Sequence, residues 1–218
     1  MQDHDAKIEL ARHAGMADDY YENGFLGCLR PYSGIREENF HAVVESLLTV
    51  GVHIASSPTI DRRIVEPIQR ITTTTRRWGV EEDGMLVRNG LITPDDRLKL
   101  RLWVRILEDM LLDLLAGIKP HEAIHAYCEY VAQFGFGGNA EFIVPLLSSA
   151  IDADDVGDRI QGYCAAIARL GSIASPVSGA LMQARNRNWH WYEPPERCAA
   201  EILGYIDQAL IAINKSDP

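Results

Sequence analysis

Thr93–Gly117, TPDDRLKLRLWVRILEDMLLDLLAG, carries a helix start, a helix stop and an apolar surface too wide for a peripheral helix. Thr93 can accept from the free N–H groups of a first turn, and Pro94 suits the first helical position, where its missing donor costs nothing. Asp95 and Asp96 sit at the positive end of the helix dipole, and Gly117 supplies the flexible exit. Between these signals Leu98, Leu102, Ile106, Met110 and Leu114 form one stripe. Leu100, Trp103, Leu107, Leu111 and Leu115 widen it well beyond one face, which predicts a helix over about 94–116 enclosed by others.

Working outward, the chain has 218 residues, 47% of them hydrophobic, enough to bury a sizeable core. Its net charge of −10 disfavours phosphate backbones, because nucleic-acid binders gain affinity by releasing counterions from a basic patch. The acidic balance suits a soluble protein or one with a basic partner. The first residues, MQDHDAKIEL, are acidic and polar where a secretory leader would be basic and then apolar. Glu108, Asp109 and Asp113 interrupt the richest apolar run, short of the ~20 apolar residues a membrane span needs. Cys28, Cys128, Cys164 and Cys198 stand far apart with no C-x-x-C pair, which predicts buried, reduced thiols and a cytoplasmic setting.

Apolar residues recur with the helical period along the whole chain, and period-2 alternation is nearly absent. The expectation is an all-α protein: an irregular bundle of nine helices around the 94–116 helix, in a single domain over 1–218 with a point of sub-division near 79–92. The helices are placed at about Ala6–Tyr21, Arg36–Val50, from the Thr59 cap to Trp78, Pro94–Ala116, Pro120–Gly135, from Ala140, Val156–Leu170, Val177–Asn188 and Pro195–Ile213. Pro67 should kink the third or mark its start. Tyr127-Cys128-x-x-Val131-Ala132-x-Phe134-Gly135 reappears 36 residues later as Tyr163-Cys164-x-x-Ile167-Ala168-x-Leu170-Gly171. That period suits helical-hairpin pairing in the C-terminal half, although no third copy follows near residue 199.

Three short patterns have the form of metal chemistry. His121-Glu122-Ala123-Ile124-His125 is H-E-x-x-H, in which imidazoles one turn apart bind zinc and the glutamate activates a water. In the zinc metalloproteases this motif lies inside a longer helix; here Pro120 opens the helix one residue earlier, and His190 is the only downstream histidine. Glu38/His41 and Glu122/His125 are both E-x-x-H pairs, the arrangement used in di-iron bundles, with Glu66 and Glu108 as further carboxylates. Asp154, Asp155 and Asp158 form D-D-x-x-D, and Asp18, Asp19 and Glu22 a weaker D-D-x-x-E; both sit where a helix start calls for caps and negative charge.

On the 94–116 helix Arg97, Arg101, Arg105 and Asp109 recur every four residues as a solvated strip, with Arg105 placed to pair with Asp109. Arg185, Arg187, Trp189, His190, Trp191 and Tyr192 cluster ahead of Pro194-Pro195, and aromatics with arginine are the residues that dominate interface hot spots. A P-loop and a nucleophile elbow are absent from the sequence. The functional expectation is a bacterial-type interaction protein that binds another protein through this cluster, as an acidic inhibitor or immunity-type factor for a basic partner. The alternatives are a zinc- or di-iron-dependent helical enzyme using His121, Glu122, His125, Glu38 and His41, and a module that binds a small molecule between helices.

Overall fold

A computed structural model describes residues 1–16, 22–154, 157–187, 189 and 195–215, with the backbone alone at 195–198. Every regular element among these residues is helical, and nine helices have eight residues or more. The contacts divide the chain into two compact units, residues 1–123 and 124–218, and the segment 79–92 lies inside the first.

In the first unit α1 (Asp3–His13), α2 (Glu37–Ser56) and α3 (Arg62–Thr75) pack with one another and against α5 (Pro94–Leu115). A π-helical turn at Arg76–Val80 and the single turns α4 (Met85–Arg88) and α6 (Pro120–Ala123) complete it. The start of α5 is a capping box: Thr93 Oγ1 accepts from the Asp96 N–H at 3.1 Å, and Asp96 Oδ2 accepts from the Thr93 N–H at 3.0 Å. From that fixed start α5 buries Leu100, Trp103, Val104, Ile106, Leu107, Met110, Leu111 and Leu114. Trp103 stacks on Phe40 of α2, with centroids 5.0 Å apart and planes 6° apart, and Phe25 meets it edge-on at 5.7 Å. Lys99 pairs with Glu37 of α2, and Arg76 of the π turn pairs with Glu108.

Enclosure is one-sided. Leu98 and Leu115 of α5 are exposed, contrary to the stripes read from the sequence, and so is Leu112. The partners of α5 in this unit are α2, α3, the π turn and α6, and they cover one broad face. The Arg–Asp ladder of the opposite side is solvated, with Arg105 Nε 3.4 Å from Asp109.

Asp61, not Thr59, caps α3, accepting from the Arg63 N–H at 2.9 Å, and Pro67 lies inside the helix. Thr59 instead bonds to Ser57. The helix expected over Pro120–Gly135 is broken at Ile124, whose ψ of −2° interrupts the helical path between α6 and α7.

Two buried histidines belong to the first unit. His13 Nδ1 accepts from the Phe25 N–H at 3.1 Å, and the His13 carbonyl accepts from Leu26, so the end of α1 holds the segment that carries Phe25 into the core. Burial lowers His13 to about 4, against Glu9, and lowers His41 to about 4, against Glu37 and Glu38.

In the second unit α9 (Ile160–Leu170) packs between α7 (His125–Phe134) and α11 (Pro195–Asn214); α8 (Ala140–Ala153) and α10 (Ser178–Arg185) pack together beside the 3-10 turn Gly171–Val177. The 36-residue echo falls on α7 and α9, which pack on each other. Tyr127, Cys128 and Val131 are buried on one, and Tyr163, Cys164 and Ile167 on the other. Each of these helices ends at a glycine of positive φ, +99° at Gly135 and +60° at Gly171. Burial raises the thiols of Cys128 and Cys164, the latter to about 12, so both stay protonated. Ile160–Arg185 has the length and hydropathy of a membrane-crossing helix, but the Gly171 break splits it, and its halves pack into this unit.

The two histidines make the stability of the first unit depend on pH. Each is protonated near 6.5 in the unfolded chain and near 4 in the fold, so stability is full above about 6.5 and falls as the pH drops towards 4. Each contributes at most about 3 kcal/mol over that window. Urea unfolding followed at amides of residues 1–123 should show the loss between pH 7 and pH 4.5. His13→Gln, which keeps a non-titrating acceptor for Phe25, should flatten part of the slope.

Candidate functional site

The one-sided burial of α5 leaves a groove beside its first two turns. The chain leaves α3 through the π turn, doubles back at Gly84, makes the single turn α4 and returns through Gly90, at φ +62°, to Thr93. The return at Gly84 is tight: a Cβ there would stand 2.6 Å from the Trp78 carbonyl oxygen and 2.8 Å from that of Arg77. α4 buries Leu86 against the π turn and presents Val87 to the groove. Ile92, Pro94 and Leu98 supply the remaining apolar wall, with Thr93 at the corner, around a cavity of about 320 Å³.

Arg97 and Arg101, one turn apart on α5, line the same cavity. Arg97 Nε donates to the Val80 carbonyl at 2.8 Å, which fixes the plane of its guanidinium and ties α5 to the end of the π turn. Arg101 is exposed and has no ion-pair or hydrogen-bond partner among the described residues. No carboxylate lines the groove; Asp96, the residue before Arg97, is held in the capping box. The site therefore offers an apolar wall, two permanent positive charges and a fork of donors. Thr93 supplies the one hydroxyl among its lining residues, and its oxygen accepts in the capping box.

The aromatic–arginine cluster lies differently from the sequence reading. Arg187 bonds inward: its Nη1 donates to the carbonyls of Asp154 at 2.6 Å and Ile151 at 3.1 Å, satisfying the open end of α8. Trp189 is 5% exposed, lies 5.0 Å from the Arg187 guanidinium and donates through Nε1 to the Ala184 carbonyl at 3.0 Å. Trp189 is thus buried against Gly157, and Arg187 is half-buried at the end of α8. Arg185 is half-exposed and pairs with Asp207 at 2.7 Å. His190, Trp191 and Tyr192 lie outside the described residues.

Asp154, the first of D-D-x-x-D, is buried and works as a loop clamp. Its two oxygens accept from the N–H groups of Gly157 at 2.8 Å and Arg159 at 3.2 Å, shaping the entry to α9. Burial raises its pKa against these two bonds. Asp158 is exposed, and Asp155, Asp18 and Asp19 are outside the described residues.

The H-E-x-x-H residues fall on two helices because of the break at Ile124. His121 stands 3.7 Å from its neighbour Glu122. His125 stands 4.0 Å from Glu129 and edge-on to Tyr163. On α2 His41 is buried whereas Glu38 is exposed, so that E-x-x-H pair points two ways. Among the described residues no three His, Cys, Asp or Glu side chains are grouped to hold a metal ion.

Comparison with protein-family models, with curated proteins and with solved structures finds no match to this chain. The groove escaped the sequence reading because its residues come from a segment without strong periodicity and from arginines whose spacing equally fits a solvated strip. Its legible signal was Met85-Leu86-Val87 after Gly84 and Leu91-Ile92 after Gly90, apolar residues inside a connection otherwise polar.

Two substitutions test this geometry. Gly84→Ala should cost about 1–3 kcal/mol, since backbone oxygens and not a flexible side chain meet the new methyl, and amides 80–101 should shift. Asp154→Ala should cost about 1–3 kcal/mol by leaving buried donors unmet, with faster amide exchange at Gly157 and Arg159 while residues 1–123 keep their protection.

Proposed function

We propose that this chain is an interaction protein that holds a partner protein at the α4–α5 groove, and that its role is capture and not turnover. The observation that carries the reading is an apolar cavity lined by two arginines, in which Leu98 remains 42% exposed and Arg101 has no partner among the described residues. Exposed apolar surface marks a contact site, and arginine is enriched at interfaces.

The sign of the local charge selects the partner. Both charged residues that line the groove, Arg97 and Arg101, are basic, in a chain whose net charge is −10. Screening limits the reach of exposed charges to about 8 Å at physiological ionic strength, so Arg97 and Arg101 govern contact at the groove more than the whole-chain balance does. An acidic group on the partner fits there. The remaining acidic surface serves solubility, or a basic region of the same partner. Inhibition of the immunity type is one form this capture takes: the partner is occupied and released unchanged. A cytoplasmic setting accords with Cys28, Cys128 and Cys164 standing as buried free thiols.

The test is capture from a lysate of the source cells with groove variants. Leu98→Asp and Arg101→Glu alter exposed side chains, so each should fold and each should lose the captured protein by about tenfold or more. Ile173→Asp, an exposed position in the second unit, should retain it. Retention by both groove variants would overturn the proposal.

A further inference from the structure

The chemistry of the groove narrows what it receives. The cavity of about 320 Å³ is open to solvent on one side and has room for one large side chain with a charged group beside it. Val87, Ile92, Pro94 and Leu98 offer no side-chain donor or acceptor, and Thr93 Oγ1 accepts from the Asp96 N–H, which leaves its O–H as a single donor at the corner. The body of the ligand is therefore apolar. At the arginine side, Arg97 spends Nε on Val80 and keeps its terminal N–H groups, in a plane already set. Arg101 adds a second guanidinium on the same face of α5. Two forks side by side match the two oxygens of a carboxylate and repel an amine. Asp95 and Asp96 in the first turn of α5 disfavour a doubly charged phosphate relative to a single negative charge.

Resting on the interaction reading above, we infer that the element recognised is a large aliphatic residue bearing a carboxylate, as at the C-terminus of a partner chain. The aliphatic group lies on the Val87–Leu98 wall, and the carboxylate bridges Arg97 and Arg101.

The probe is N-acetyl-leucinate, titrated into the full ¹⁵N-labelled chain beside N-acetyl-leucinamide, leucinamide and inorganic phosphate. Saturable shifts confined to amides of about residues 80–101 are expected with the acid. Binding of the neutral amide should be weaker by about fivefold or more, in keeping with a lost charge-assisted pair, and the amine should leave the groove amides unchanged. Arg101→Gln should narrow the difference between acid and amide, and Leu98→Asp should remove binding of both. Equal binding of acid and amide, tighter binding of phosphate, shifts elsewhere, or no saturable shift each overturns the inference. If the fragments fail while capture of the partner still depends on Leu98 and Arg101, the inference falls and the interaction reading stands. If capture is also indifferent to both, the two fall together.

Discussion

The stacking of Trp103 on Phe40, closed at the edge by Phe25, is the contact on which the first unit depends. It joins α5 to α2 and to the segment after α1, three stretches far apart in sequence. Phe25 reaches it because His13 Nδ1 holds its backbone N–H, so a neutral imidazole is built into the packing of an aromatic core. That coupling ties the core to proton concentration. It also orients α5: with Trp103 and Leu107 turned inward, Leu98 and Arg101 must face outward. The groove is the other side of the same packing decision.

In the second unit the corresponding role falls to the meeting of α8, α9 and the segment after α10. Asp154 clamps the entry of α9, Arg187 satisfies the carbonyls at the end of α8, and Trp189 covers Gly157. Gly157 is at φ +82°, and a Cβ there would meet Ile202 at 2.7 Å and Trp189 at 3.0 Å, so conformation and space both call for glycine. An arginine and a tryptophan placed in this way look, letter by letter, like a recognition loop. Their donors are consumed by main-chain carbonyls, and unsatisfied carbonyls at a helix end are costly enough to claim them.

Electrostatics in this molecule works at two ranges. The net charge of −10 describes the chain seen from afar, whereas a ligand within a few ångströms of α5 meets two guanidiniums and an apolar wall. Arg97 illustrates how such a site is made without stored strain: one bond to Val80 satisfies an otherwise open carbonyl of the π turn and fixes the guanidinium in position. One side chain both holds the fold and lines the groove.

Residues 93–117 announced a core helix by themselves, because a cap, a proline, first-turn carboxylates and a glycine exit are local signals whose physics needs no distant partner. The all-helical character followed for the same reason; the echoed letters of α7 and α9 encode matching buried faces, but that the two helices meet was decided by the fold. Other features were decided by contacts between residues remote in sequence. Asp61 took the cap from Thr59, and Ile124 broke the helix that His121 and His125 would have shared. Arg187 and Trp189 turned inward, while Leu98 and Arg101 were left facing out. Periodicity states which residues are apolar, but it does not state how many neighbours a helix has. Only the assembled chain sets that number, and with it which apolar and charged groups remain free to bind.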